Sequence, residues 1–237
     1  MDRANGLQLL RKSASWDIAI IGGGATGLGS AVDAASRGYR TVLLEQGDFA
    51  QATSSRSTKL VHGGVRYLRQ GNLHLVQQAL HERGLLLRAA PDFVQPLEFV
   101  IPTYRWWERS FYATGLHLYD RLAGSLGIGS SRGLSANEVK ERLPTIVTKH
   151  LRGGVLYHDA QFDDARFAVA LAQTFVALGG TALNYARVEN LARSGAPSAH
   201  IIRGRDAESG EAFEIEAKAV INATGVFCDE IRRMEEP

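Results

Sequence analysis

Gly22, Gly24 and Gly27 stand in the pattern G-x-G-x-x-G, directly after the apolar run "WDIAIIG" and at the start of "GGATGLGSAVDAASRG". At a strand-to-helix junction the first glycine allows a tight turn. The second lets backbone approach a pyrophosphate, and the third lets the helix pack close to the strand. The helix N-terminus adds free N–H groups and a partial positive charge, which suit phosphate. Glu45 follows at the end of a second apolar run, "YRTVLLEQGD", eighteen residues beyond Gly27. A carboxylate there can accept hydrogen bonds from both hydroxyls of a ribose and would repel a 2′-phosphate.

Two further stretches carry polar chemistry. "SSRSTKLVHGGVRYL", residues 54 to 68, concentrates hydroxyl, imidazole, ammonium and guanidinium groups around two glycines. "KAVINATG", 218 to 225, is another apolar run that ends in small residues. Ala223, Thr224 and Gly225 at the end of a parallel strand allow a cofactor backbone to come close.

These residues need a frame. Residues 16 to 22 read as a buried parallel strand, and Ala25, Leu28, Ala31, Val32 and Ala35 recur at helical spacing. Gly38 suits a helix end, and a second buried strand closes at Gln46-Gly47-Asp48, giving β-α-β. Helices are expected over 73–91 and 105–124, with a strand at 97–104 between them. A capping box is expected at Ser135 and Glu138. "GGVLYHDAQFDDARFAVALAQTFVALGG" reads as strand, turn and helix, with Asp163 as N-cap. "TALNYARVENLAR", "AHIIRGR" and "AFEIEAKAVINATG" are three strand candidates, the last two joined by a hairpin turn.

A chain of 237 residues, 45% apolar and 22% charged, reads as a soluble globular protein of one large domain or one and a half. A single cysteine, Cys228, excludes an internal disulfide framework and fits a reducing compartment. No secretory leader and no membrane-spanning apolar run is evident. Net charge is +2, but nine Lys or Arg face five Asp or Glu between Arg56 and Arg121. That bias is either a solvated surface or a basic face for an anionic substrate or lipid. Neither a basic recognition helix nor a metal-ligand pattern points to nucleic acid or metal.

The polar segment after Glu45 resembles that of the FAD-dependent glycerol-3-phosphate dehydrogenases. The matching run is Thr53-Ser54-Ser55-Arg56-Ser57-Thr58-Lys59-Leu60-Val61-His62-Gly63-Gly64-Val65-Arg66-Tyr67-Leu68. "ERGLLLRAAP", "LYDRL", "DDARF" and "NATG" resemble further family blocks in the same order, and the likeness runs from about residue 15 to the end. Val226-Phe227 departs from it, since the family there carries Pro-Trp.

The resemblance implies an α/β fold: a Rossmann-like FAD-binding domain of the glutathione reductase type with a β-meander, in the branch of the amine and hydroxy-acid oxidases. The start of a substrate domain is joined to it. The implied FAD-binding parts are about 15–75 and 150–230, with a partial substrate or cap region at 76–149 and an extension at 1–14. Family members are longer, so the chain is expected to be a fragment.

FAD contacts are implied for Gly22, Gly24, Ala25, Thr26, Gly27, Glu45, Gln46, Thr53, Ser54, Ser55, Lys59, Leu60, Val188, Ala223, Thr224 and Gly225. His62, Gly63 and Gly64 are implied beside the isoalloxazine, where glycine leaves room for the flavin. Arg66 and Tyr67 are implied to face the substrate, and no catalytic base is assigned within the chain. The implied reaction oxidises sn-glycerol 3-phosphate to dihydroxyacetone phosphate and passes electrons to a quinone. An oxygen-using glycerol-phosphate oxidase and a non-catalytic FAD-binding fragment stand as alternatives.

The implied location is cytoplasmic, with peripheral attachment to the inner membrane as an option, and a homo-oligomer is left open. Trp107, Phe111, Leu118 and Leu122, with Arg105, Arg109 and Arg121 nearby, form either a helix face for an anionic membrane surface or a buried stripe.

Overall fold

The computed structural model describes residues 3–12, 15–193 and 199–235. It divides into two compact units, residues 1–57 with 164–237, and residues 58–163. Residues 58–75 and 150–163, expected among the FAD-binding parts, group with the second unit.

The chain order is α1 (Arg3–Lys12), β1 (Trp16–Ile21), α2 (Ala25–Ser36), β2 (Thr41–Leu44), β3 (Leu60–Val61), α3 (Val65–Arg69), α4 (Leu73–Ala89) and β4 (Val94–Thr103). It continues with α5 (Glu108–Ala123), β5 (Arg132–Leu134), α6 (Ala136–Arg142), β6 (Gly153–Phe162), α7 (Asp164–Ala177), β7 (Thr181–Leu183), β8 (Ala186–Arg193), β9 (His200–Asp206), β10 (Ala212–Asn222) and α8 (Cys228–Glu235).

The first unit is built on a six-stranded sheet in the order β7-β2-β1-β10-β9-β8. β7, β2, β1 and β10 run parallel, and β10, β9 and β8 form the expected antiparallel meander. Both faces of β1 are covered, which explains why its run from Ile18 to Ile21 is apolar. Ile20 packs with Leu43 against Leu28, Ala31 and Ala35 of α2 and Ala168, Ala172 and Phe175 of α7. Ala19 and Ile21 face the other way, into a cluster with Val42, Leu44, Leu183, Ile202, Phe213 and Ile215. The alanines let two helices lie close over one sheet face.

"AHIIRGR" and "AFEIEAKAVINATG" each form one strand as expected, but "TALNYARVENLAR" is two strands rather than one. Tyr185 takes a left-handed conformation at φ 55° between β7 and β8. Its N–H donates to the Gly47 carbonyl, and the Ala186 N–H to that of Glu45. These bonds turn the chain from the parallel edge into the meander.

The residues before β1 form α1, which closes one edge of the second cluster with buried Leu10. Arg3 fixes its start. The guanidinium donates to the Asn184 carbonyl at 3.2 Å, bonds Asp206 and reaches Glu208 at 2.8 Å. Burial pushes the Asp206 carboxyl up, yet Arg3, the Ser209 hydroxyl and the Glu208 and Ser209 N–H groups outweigh it and hold it at about 2. A depressed carboxyl stabilises the fold above its unfolded value of about 4 and loses that contribution as pH falls through about 2. Arg3→Ala should therefore reduce stability at pH 6, and the gap to the parent should narrow between about pH 4 and pH 2. Chemical denaturation across that range checks this; a constant gap contradicts it.

In the second unit β6 pairs antiparallel with β4 over ten residues, from Val94 opposite Phe162 to Thr103 opposite Gly153. β3 and β5 also pair with β6. The long helix starts on Asn72, whose side chain accepts the Leu75 N–H at 3.2 Å. The capping box at Ser135 and Glu138 is present.

α5 buries Leu116, Tyr119 and Ala123. Trp107, Phe111 and Leu118 are exposed, and Leu122 is half-buried. The stripe singled out in the sequence is thus not the one that faces the core. No helix among the described residues is long and apolar enough to cross a membrane.

Candidate functional site

The carboxyl ends of β1, β2 and β10 meet at a cavity of about 670 Å³ in the first unit. Parallel α/β sheets bind ligands at this edge. Gly22 leaves β1 at φ 112°, a value that disfavours side chains. A Cβ there would lie 2.5 Å from the Ala223 carbonyl oxygen, so the glycine lets β1 and β10 end side by side. At Gly27 a Cβ would fall 1.9 Å from the Gly22 oxygen. Gly27 is therefore a packing glycine behind the cavity, while Gly22, Gly24, Ala25 and Thr26 line it.

Gly24 is the N-cap of α2 and supplies no side-chain cap. The first-turn N–H groups have no acceptor one turn back in the helix. Ser54 Oγ accepts the Ala25 N–H at 2.8 Å, and the Ser54 hydroxyl proton remains available for a further acceptor.

Glu45 is expected to hold a ribose. Its Oε2 accepts the Gly23 N–H at 2.6 Å and its Oε1 the Gly47 N–H at 2.7 Å. Each carboxylate oxygen has a second acceptor position left. The two bonds fix the carboxylate on the cavity wall, so Glu45 both builds the phosphate turn and faces the cavity. Gly23, a variable position of the motif, is as constrained as its neighbours. A Cβ there would lie 2.8 Å from Glu45 Cβ and 2.8 Å from the Phe49 ring.

Gln46, Thr53, Ser54, Val188, Ala223, Thr224 and Gly225 also line the cavity, but Ser55 does not. Asn222 shapes the "NATG" turn. Its Oδ1 accepts the Thr224 hydroxyl at 2.7 Å and the Thr224 N–H at 3.3 Å, and its Nδ2 donates to the Cys228 carbonyl at 2.8 Å. Such side-chain turns end strands cleanly. Sequence reasoning missed Arg56 and Arg187, two cations on the wall, and Phe227, Glu230, Ile231 and Met234. Arg56 lay inside the conspicuous polar run; the residues of α8 had no such signal. Asp164 of "DDARF" accepts the Ser57 hydroxyl at 2.7 Å, which joins two of the blocks noted in the sequence within one unit.

Lys59, Leu60, His62, Gly63, Gly64, Arg66 and Tyr67 belong to the second unit. Leu60 pairs with Gln161 in the sheet. Lys59 sits at φ 60° and its carbonyl accepts the Phe162 N–H at 3.0 Å. His62 and Arg66 are exposed, and Tyr67 is 39% exposed. Gly63 is constrained from within its own unit: a Cβ would lie 2.3 Å from Leu80 Cδ2 and 2.4 Å from the Tyr119 hydroxyl. The space it leaves is filled by its own unit. Gly64 takes φ 75° and caps α3.

An adenine dinucleotide fits the cavity of the first unit. A side-chain-free turn and helix N-terminus suit its pyrophosphate, two guanidinium groups balance its charge, and a fixed carboxylate suits its ribose.

Comparison with known proteins gives the same class. The family model for FAD-dependent oxidoreductases matches residues 17–237. Mitochondrial glycerol-3-phosphate dehydrogenase of Macaca fascicularis is 42% identical over 97% of this chain and 33% of its own length. That of Saccharomyces cerevisiae is 41% identical over 99% of this chain and 37% of its own. The structure of the Bacillus halodurans glycerol-3-phosphate dehydrogenase complexed with FAD superposes with a TM-score of 0.73 at 29% identity. The match covers 98% of this chain and 38% of that one. The chain thus spans about a third of the length of the curated relatives it matches. With the glycine turn, the fixed carboxylate and the meander all in place on one sheet, this chain belongs to the family of FAD-dependent oxidoreductases.

Proposed function

We propose that the chain holds FAD by its adenosine-diphosphate half in the cavity of the first unit and serves the oxidation of sn-glycerol 3-phosphate to dihydroxyacetone phosphate. The observation that carries this reading is the cavity at the ends of β1, β2 and β10, with Glu45 fixed by two N–H groups on its wall. FAD, when bound, supplies a two-electron acceptor for an alcohol. The residues of this chain bind and orient. α2 offers N–H groups to phosphate, Ser54 and Thr53 offer hydroxyls, and Arg56 and Arg187 neutralise charge.

In the second unit, His62 and Gly64 are assigned to the flavin side. Arg66 and Tyr67 are assigned to the substrate, where a guanidinium fork suits a phosphate monoester. A quinone as the onward acceptor rests on the resemblance. Contact with an anionic membrane surface is supported by the exposed Trp106, Trp107 and Phe111 of the α5 region.

Purification tests the reading. A yellow protein whose flavin absorbance bleaches on adding glycerol 3-phosphate supports it. A flavin-loaded protein that does not bleach leaves binding without the reaction, and a colourless protein that ignores added FAD removes both. Reoxidation by a quinone analogue faster than by oxygen supports a dehydrogenase over an oxidase. Glu45→Ala should weaken FAD by roughly 10- to 100-fold, the value of one or two charge-assisted hydrogen bonds. Fluorescence titration reads this directly.

A further inference from the structure

Beneath the segment that bears His62, Arg66 and Tyr67 lies a charged cluster that the proposed function does not use. Arg83 of α4 and Asp159 of β6 are each 2% exposed and pair at 2.8 Å. Three donors converge on one oxygen, Asp159 Oδ1: Arg83 Nη1 at 2.8 Å, the Tyr119 hydroxyl at 2.8 Å and the Gly63 N–H at 3.1 Å. Arg83 Nη1 also donates to the His158 carbonyl at 3.2 Å, and its guanidinium lies 5.8 Å from the centre of the Tyr119 ring. Burial pushes the Tyr119 phenol well up, and the Asp159 charge adds to this, so it stays a donor.

A buried ion pair is seldom needed for stability alone, because apolar residues of similar volume serve as well. What this one does that an apolar pair could not is grip a backbone N–H. The peptide is trans and planar, so a Gly63 N–H aimed inward at Asp159 turns the His62 carbonyl outward. Gly63 cannot recede, since Leu80 and Tyr119 fill the space beneath it. One residue later Gly64 turns left-handed and starts α3, which carries Arg66 and Tyr67.

We infer that Asp159, balanced by Arg83, is a positioning residue that sets the orientation of the His62–Gly63 peptide and, through it, of the flavin- and substrate-facing segment His62–Tyr67. This rests on the assignment of that segment under the proposed function. Asp159→Asn and Tyr119→Phe in the full chain separate positioning from mere packing, because only the first strips the charge from the acceptor of the Gly63 N–H.

Amide exchange of peptides spanning 61–68 should rise about fivefold in Asp159→Asn, the difference between a charge-assisted and a neutral hydrogen bond, and stay within about twofold in Tyr119→Phe. The FAD dissociation constant should rise about tenfold and the flavin absorption bands should shift in Asp159→Asn only. Tyr119→Phe should lower Tm without either change. The inference is overturned if both variants change exchange and FAD binding in step with their loss of Tm, or if Asp159→Asn changes neither. Should Asp159→Asn not fold, Asp159→Glu keeps the charge but displaces the oxygen by one methylene, and is read the same way. A parent chain that takes up no FAD would refute the proposed function, while the exchange comparison would still decide the role of Asp159.

Discussion

Gly27→Ala should abolish FAD retention, while Gly29→Ala, half a turn further along the same helix, should leave it intact. The two substitutions add the same methyl group to α2. At Gly27 it would sit 1.9 Å from the Gly22 carbonyl oxygen, which is backbone and cannot swing aside; at Gly29 nothing lies within 4 Å. α2 would have to lift from β1, carrying the Ala25 and Thr26 N–H groups away from the phosphate position. We expect a loss of about 3 kcal/mol in stability and of roughly 100-fold or more in FAD affinity. Gly29→Ala should instead raise stability by up to about 1 kcal/mol, because alanine favours the helix. Denaturant titration and FAD binding on both variants check the pair of outcomes. Equal behaviour of the two would contradict the packing described for the phosphate turn.

The second large effect is expected at Arg83. Arg83→Met roughly keeps the side-chain length and removes the charge, which leaves Asp159, 2% exposed, without its counter-charge. Breaking a buried pair from one side costs about 3–5 kcal/mol, because the remaining partner has lost its compensation. Tyr119 and Gly63 still donate to Asp159 and place the cost toward the lower end of that range. Adding Asp159→Asn to Arg83→Met should therefore cost much less than the sum of the two single changes. Urea unfolding of the four proteins gives the coupling. Additive losses would mean that the pair is not the unit described here.

The first βαβ unit was legible because three independent local signals coincide there. Apolar runs of strand length, helical spacing from Ala25 to Ala35, and glycines at the junction each point to the same frame. The capping box was legible because it lies within four consecutive residues. What escaped depends on contacts distant in sequence.

α1 carries only two buried residues and gains its place from Arg3, whose partners include Asp206. The break between β7 and β8 rests on Tyr185, a residue type with no turn preference, whose N–H is held by the Gly47 carbonyl while that of Ala186 is held by the Glu45 carbonyl. Arg83 and Arg88 sit in the same block, yet one is buried and the other exposed, and no local pattern distinguishes them. On α5 the stripe Trp107, Phe111 and Leu118 has helical spacing as good as that of Leu116, Tyr119 and Ala123. Periodicity shows that a face exists, not which of two faces the sheet will cover.

The site shows the same division. The residues expected at the cofactor that do line the cavity, among them Gly22, Gly24, Ala25, Thr26 and Ala223 to Gly225, belong mostly to turns whose reason is local. The constraint on Gly23 and the dual role of Glu45 follow from the distance between two turns, which no spacing rule contains.

We propose that the glycine turn after β1 and the carboxylate after β2 form the adenosine-diphosphate seat of FAD. An equilibrium titration of the purified chain with FAD, repeated in the presence of ADP and with Glu45→Ala, tests it most directly. One FAD per chain, displacement by ADP, and a weakened titration in the variant are expected. FAD binding that ADP does not displace and that Glu45→Ala leaves unchanged would contradict it.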